Sequence, residues 1–227
     1  MSNYLETIYF RDETEETDYP QKLCDYLIKN FVGVNHKTLL DVGSGKGNHI
    51  IGFARRGFDV IGLDCKDECI NALVDFDIRY CDIESEFFPF GDDSFDVVFS
   101  KSVIEHVANV DNVFKEMHRV LKTNGVAIIM TPDWNTQHEI FWDDYTHVKA
   151  WTRKSLQNVM RIHNFKEVEC LLFRQLPILW KHPKLKFIFD LISLLPNSLK
   201  WKDKKEEMHR PIIRFSKEKM LLATGVK

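Results

Sequence analysis

Two rhythms of apolar residues alternate along the chain between Thr38 and Pro132. Short runs of Val, Ile and Leu, apolar on both faces, predict strands buried on two sides. Between them, apolar residues recur every three or four positions, the spacing of amphipathic helices. TLLDVG is the first such strand, and Ile50, Ile51, Phe53 and Ala54 form the inner face of a helix that stops at Gly57. DVIGLD (Asp59–Asp64) predicts a second strand, DECINALVDF a second helix, and IRYCDI (Ile78–Ile83) a third strand. FDVVFSKS is a fourth strand and VDNVFKEMHRVLK a helix. Asn124-Gly125 then turns the chain into VAIIMTP, the fifth strand. Strands alternating with helices mean a parallel sheet covered on both faces, and right-handed crossovers make it doubly wound.

The flanks are less regular. Tyr19-Pro20 breaks the chain before a helix marked by Leu23, Tyr26, Leu27 and Phe31. The acidic run RDETEETD ahead of it is either a solvated face or a mobile cover over a site. After Pro132, DWNTQHEIFWDDYTHVKAWT shows no clear period. RKSLQNVMRIHNF returns to helix and KEVECLLF to strand, and residues 177–217 stand as a helical insertion before a last strand, KMLLATGV.

Composition narrows the function. With 227 residues, 44% hydrophobic and 29% charged, the chain can bury a core without staples and is not a disordered or low-complexity polymer. A net charge of −3 gives no global reason to expect nucleic-acid binding. Five cysteines without a CxxC pair, and an N-terminus lacking a basic start and apolar run, predict reduced thiols in the cytoplasm. The apolar stretch Phe187–Leu195 carries Asp190 and falls short of the ~20 residues of a spanning helix.

Asp41-Val42-Gly43-Ser44-Gly45-Lys46-Gly47 lies where a strand becomes a helix. Glycines there let a backbone approach a ligand, and the helix start offers unpaired N–H groups. The spacing is neither the dinucleotide fingerprint nor a phosphate loop, which disfavours NAD and ATP. Asp64 ends the second strand, in line to accept hydrogen bonds from a ribose diol, and Asp82 ends the third. Each acid alone could be a turn or cap residue. Together with the glycines, three acids at the carboxyl edge of one sheet point to a ligand site.

These segments resemble class I S-adenosylmethionine-dependent methyltransferases, of the group that includes quinone-biosynthesis and small-molecule enzymes. LLDVGSGKG matches that family's first motif, VIGLD its second, and DIESEFFPFGDDSFDVVFSKSVIEHV the stretch through the fourth strand. FKEMHRVLKTNGVAIIMTP matches the helix, turn and fifth strand that follow. The resemblance implies a Rossmann-like, seven-stranded, mostly parallel α/β sheet ending in a reversed hairpin. It divides a single methyltransferase domain, 1–227, into an N-terminal helical cover (1–36), a cofactor-binding core (37–132) and an acceptor-side region (133–227). It implies S-adenosyl-L-methionine as cofactor and S-adenosyl-L-homocysteine as product. Asp41, Gly43 and Gly45 would line the methionine portion, and Gly47 would admit close helix packing. Asp64 would bind the ribose hydroxyls with Cys65 beside the adenine. Asp82 and the Ile83 backbone would meet the adenine, and the Ser100 backbone would lie near the cofactor's amino group.

If the acceptor is a hydroxyl, a base must take its proton, and histidine suits that at neutral pH. His106 follows the fourth strand; His147 follows the fifth, beside Asp143, Asp144 and Tyr145. Both are candidate catalytic residues, with a loop-orienting histidine as the plainer alternative for each. His118, within the helix after the fourth strand, reads as a surface or packing residue. His138, Asp143, Asp144, His147 and Asp133 match no standard ligand spacing, so no metal is expected. Trp134, Phe141, Trp142, Tyr145 and Trp151 either wall an acceptor pocket or pack the core. Residues 174–205 hold eight Lys/Arg against two Asp/Glu. They are either a peripheral membrane contact or a solvated specificity or dimer-forming insertion, favoured here, which leaves a monomer or a homodimer. The expected acceptor is a small or carbohydrate-like molecule methylated at oxygen, in surface-polysaccharide or natural-product synthesis, because DDYTHVKAWT resembles such methyltransferases. A lipid or quinone methyltransferase and a non-catalytic cofactor-binding subunit are the alternatives.

Overall fold

In a computed structural model, residues 18–66, 69, 75–201 and 210–227 are described. Helix α1 (Tyr19–Phe31) leads into β1 (Thr38–Val42), α2 (Asn48–Ala54), β2 (Asp59–Asp64), β3 (Asp77–Tyr80) and β4 (Phe95–Lys101). Then come α3 (Val110–Val120), β5 (Leu121–Pro132), α4 (Trp134–Gln137), α5 (Arg153–Ile162) and β6 (Lys166–Phe173). The insertion contributes α6 (Pro177–Lys181), α7 (Lys186–Ile192) and α8 (Pro211–Lys217) before β7 (Met220–Val226). One seven-stranded sheet results, in the order β3-β2-β1-β4-β5-β7-β6. Its first five strands run parallel, and β7 pairs antiparallel with both β5 and β6. The seven-stranded α/β sheet with a reversed last hairpin is therefore as the sequence predicts.

Period-two alternation divides the strands between two cores. Leu40, Val42, Val98, Ala127 and Ile129 point to the face covered by α3 and α5. Leu39, Val97, Phe99, Val126, Ile128 and Met130 point to the face covered by α1 and α2. Such double coverage puts parallel strand ends, and the loops that leave them, at the one edge open to a ligand.

Several predicted boundaries shift. Pro20 does not break the chain before α1 but sits in its first turn, where a missing N–H costs nothing. Helix α3 ends at Val120, and Leu121 already pairs with Phe95 in the sheet. The third strand stops at Tyr80 rather than Ile83, because Asp82 turns the chain: its carboxylate accepts the Glu84 N–H (3.1 Å) and the Ser85 hydroxyl (2.6 Å). The acidic run before Asp18 and most of the predicted second helix lie outside the described residues. Among those described, no helix is long and apolar enough to cross a membrane.

Candidate active site

β1 delivers the chain to its carboxyl edge with a loop held from its neighbour: the Gly43 and Ser44 N–H groups both donate to the Leu63 carbonyl, at 2.8 and 3.0 Å. Gly43, Gly45 and Gly47 all take positive φ, at 74°, 54° and 74°. The first two serve different ends. A Cβ on Gly43 would come 2.3 Å from Cγ2 of Val103, so this glycine lets the loop after β4 close down. A Cβ on Gly45 would meet nothing within 4 Å; its bare face opens on empty space. Gly47 instead is the left-handed N-cap of α2.

Asp64, last in β2, ties the two loops together. Its Oδ2 accepts the Gly45 N–H at 2.9 Å and its Oδ1 the Lys66 N–H at 3.1 Å. A cavity of about 520 Å³ opens above these strand ends, within the range of small-ligand sites. Gly43, Gly45, Asp64, Cys65, Asp82 and Ile83 line it, as does His106 from the loop after β4. Burial and the Asp64 charge raise the pKa of the Cys65 thiol, which keeps it neutral.

Asp41, Gly47, Ser100 and His147 are not in that lining. Ser100 is buried and donates its hydroxyl to the Val42 carbonyl (3.0 Å), so its side chain is structural. Asp41 is buried with its Oδ2 unpartnered. Burial and the nearby Asp64 push its pKa up to about 7, against the pull of Lys101. An acid left without a partner here is suited to a cationic group arriving with a ligand.

The two candidate histidines stand together, ring centroids 4.7 Å apart, but unequally placed. Thr146 donates its hydroxyl to Asp144 Oδ1 (2.6 Å) and so accepts from His106 Nδ1–H (2.9 Å), leaving Nε2 as the basic nitrogen. Burial first, and His147 second, depress the His106 pKa below 6.5. His147 sits behind, its Nδ1 bonded to the Phe141 carbonyl at 2.5 Å and its Nε2 3.9 Å from Asp144. His118 packs edge-on against Phe165, as expected of a packing residue.

The aromatic group splits as well. Trp151 is buried and donates to the Ile104 carbonyl, and Phe141 is buried under Trp134 and Trp142, so both belong to the core. Tyr145 lines the cavity while largely exposed.

Glu105 is the residue that sequence reasoning missed. It is buried, accepts the Thr131 hydroxyl at 2.8 Å, and its carbonyl takes the N–H groups of Val148 and Lys149. Burial lifts its carboxyl pKa to about 7, against the hydrogen bonds from its own backbone N–H and the Thr131 hydroxyl. It thus locks the loop after β5 onto the loop after β4. The adjacency of an acid to His106 was its only signal. Glu105, His106 and His147 offer donor atoms within 4.8 Å of one another, the one set among the described residues that could gather around a cation. Two ligands at about 2.1 Å from one ion are at most about 4.2 Å apart. The set would have to contract to hold one.

The open face of Gly45, the unpartnered Asp41 oxygen and the Asp64 carboxylate at the cavity fit a ligand carrying an amino group and a ribose diol. Residues 40–129 match the model of the methyltransferase domain family. The chain is 32% identical over 161 residues, 67% of its length, to the biotin biosynthesis bifunctional protein BioHC of Cellvibrio japonicus, where the match covers 31% of that protein. It spans less than half the length of the first curated relatives it matches. A SAM-dependent methyltransferase from Archaeoglobus fulgidus superposes with a TM-score of 0.68 at 14% identity, over 99% of this chain and 100% of that one. Phosphoethanolamine N-methyltransferase 2 of Haemonchus contortus, solved with phosphomonomethylethanolamine and S-adenosylhomocysteine, gives 0.62 at 18% identity, over 91% and 52%. Residues 40–129 carry a methyltransferase domain, and the chain shares the fold of S-adenosylmethionine-dependent methyltransferases.

Proposed function

We propose that this chain transfers a methyl group from S-adenosylmethionine to a hydroxyl of a small or carbohydrate-like acceptor. One observation carries the reading: Asp64, in the position of a ribose-binding acid, and His106, a neutral imidazole with Nε2 unprotonated, share one cavity. The cofactor supplies a methyl group on a positively charged sulfur that leaves as a neutral thioether. The chain supplies position and a proton acceptor.

In this reading Asp64 accepts the ribose hydroxyls while its existing bonds from Gly45 and Lys66 hold it in place. Asp82 and the Ile83 backbone lie where an adenine edge would be met. Asp41, with Ser100 beside it on the neighbouring strand, waits behind the loop for the amino group. His106 Nε2 takes the acceptor proton, and the Asp144–Thr146 chain stabilises the charge that results. His147 is a positioning residue that backs the His106 ring. Residues 37–132 then form the cofactor-binding core and 133–227 the acceptor side. Five cysteines held as thiols support a cytoplasmic setting.

A lipid-borne or quinone acceptor is the second reading, favoured by the exposure of Trp142, Tyr145 and Val148. Incubation with methyl-labelled cofactor and a panel of nucleotide sugars, phosphorylated small molecules, polar lipids and amines tests both. Label on a hydroxyl of a soluble sugar-like acceptor supports the first reading and label in the lipid fraction the second. Label on amines alone contradicts O-methylation.

A further inference from the structure

The insertion carries its apolar stripe on the wrong side for a helix that simply caps a soluble protein. Helices at a protein surface turn their apolar face inward. In α7 and the turn after it, Phe189 is buried and Ile192 half-buried, but Phe187, Leu191 and Leu194, at positions i, i+4 and i+7, are 63%, 64% and 79% exposed. Ile188 and Leu195 flank that stripe and are exposed too. The stripe is held rigidly. α7 packs against α8, and Lys217 Nζ donates to the carbonyls of Ser193 (2.7 Å) and Leu195 (2.6 Å).

Basic groups outnumber acids around the stripe. Asp190 is the sole acid between 177 and 200, and Arg174 engages it at 2.7 Å. Lys181, Lys184 and Lys186 are exposed beside the apolar residues. Apolar side chains rimmed by ammonium groups match an anionic bilayer surface: the former enter the acyl boundary and the latter stay at the phosphates. A symmetric contact with a second copy would instead set these lysines near one another, which costs energy.

We propose that α7 and the turn after it dock this protein on an anionic lipid bilayer as a peripheral contact. The docked face is tied to the cavity. The Asn197 side chain donates to Glu139, in the segment after β5 that leads to Tyr145 at the cavity wall. A bilayer on this face would lie beside the acceptor loop, where a lipid-borne acceptor could reach it. The docking itself needs no methyl transfer, so its failure would leave the reading above intact.

The test is co-sedimentation of the full chain with vesicles of phosphatidylcholine alone or mixed with phosphatidylglycerol, at low and high salt. Binding is expected only with the anionic lipid and should weaken with salt. Leu191→Glu/Leu194→Glu and, separately, Lys184→Glu/Lys186→Glu alter exposed side chains alone, so each should fold and bind cofactor as before. Each should lower vesicle affinity at least about tenfold, since each charge near the surface contributes on the order of 1 kcal/mol. Equal sedimentation with neutral vesicles, no sedimentation with either, or binding that both variants leave unchanged would overturn the proposal. The same holds if Leu191→Glu/Leu194→Glu only dissolves a dimer.

Discussion

The two sides of the cavity are built on different principles. On the side of β1, β2 and β3, the residues that face the cavity are strand ends and the turns directly after them. Gly43, Gly45 and Asp64 are placed by sheet pairing and by hydrogen bonds no more than one loop long. On the other side, His106, Thr146 and Tyr145 come from loops after β4 and β5, about forty residues apart, joined through Glu105 and the Asp144–Thr146–His106 chain. The first side is a scaffold property shared by a fold. The second is a set of tertiary contacts that can be rebuilt for a new acceptor without disturbing the sheet. Substitutions on the two sides should therefore fail in different ways.

The largest effect is expected on the loop side. His106→Ala should lower kcat about 10²–10⁴-fold, the range of a general base, with cofactor affinity unchanged. The wild-type rate should fall as pH drops through a value below 6.5, because the depressed pKa keeps the imidazole neutral until then. A limb above pH 7 that disappears in His106→Ala would show the opposite shift. Gly43→Ala attacks the scaffold side. Its Cβ would strike Val103 in a backbone conformation that costs on the order of 1–3 kcal/mol, so cofactor Kd should rise about five- to hundredfold by calorimetry. His147→Ala should cost less than His106→Ala, about tenfold in kcat. The double variant should be no slower than His106→Ala, since a positioning residue has nothing left to position. Additive losses would make His147 an independent catalytic group.

The same contrast explains what could be read from the sequence. LLDVGSGKG and VIGLD announce a strand, a turn and an acid at fixed spacing, so the place of Gly43, Gly45 and Asp64 at the cavity follows from local pattern. Asp82 was legible only in part, because a carboxylate that caps its own turn and one that faces a ligand look alike in sequence. The histidines were visible as residue types, but their ranking was not. His106 faces the cavity and His147 stands behind it because the Phe141 carbonyl holds the His147 ring, a contact no periodicity encodes. Glu105 escaped for the same reason: its partner Thr131 is 26 residues away on the neighbouring strand. The insertion read as solvated from its lysines; that Phe187, Leu191 and Leu194 are exposed as well was not legible, since composition counts residues without saying which face they occupy.

The central claim is that the cofactor lies against Asp64 in the cavity above β1 and β2. Titration of S-adenosylhomocysteine into the wild-type protein and into Asp64→Ala, followed by calorimetry, tests it most directly. Hydrogen bonds to a charged acceptor are worth about 1.5–3 kcal/mol each, so Asp64→Ala should bind at least about tenfold more weakly. Its thermal unfolding should be compared alongside, because the Asp64 bonds to Gly45 and Lys66 are lost as well. A folded Asp64→Ala protein that binds S-adenosylhomocysteine as tightly as wild type would contradict the account.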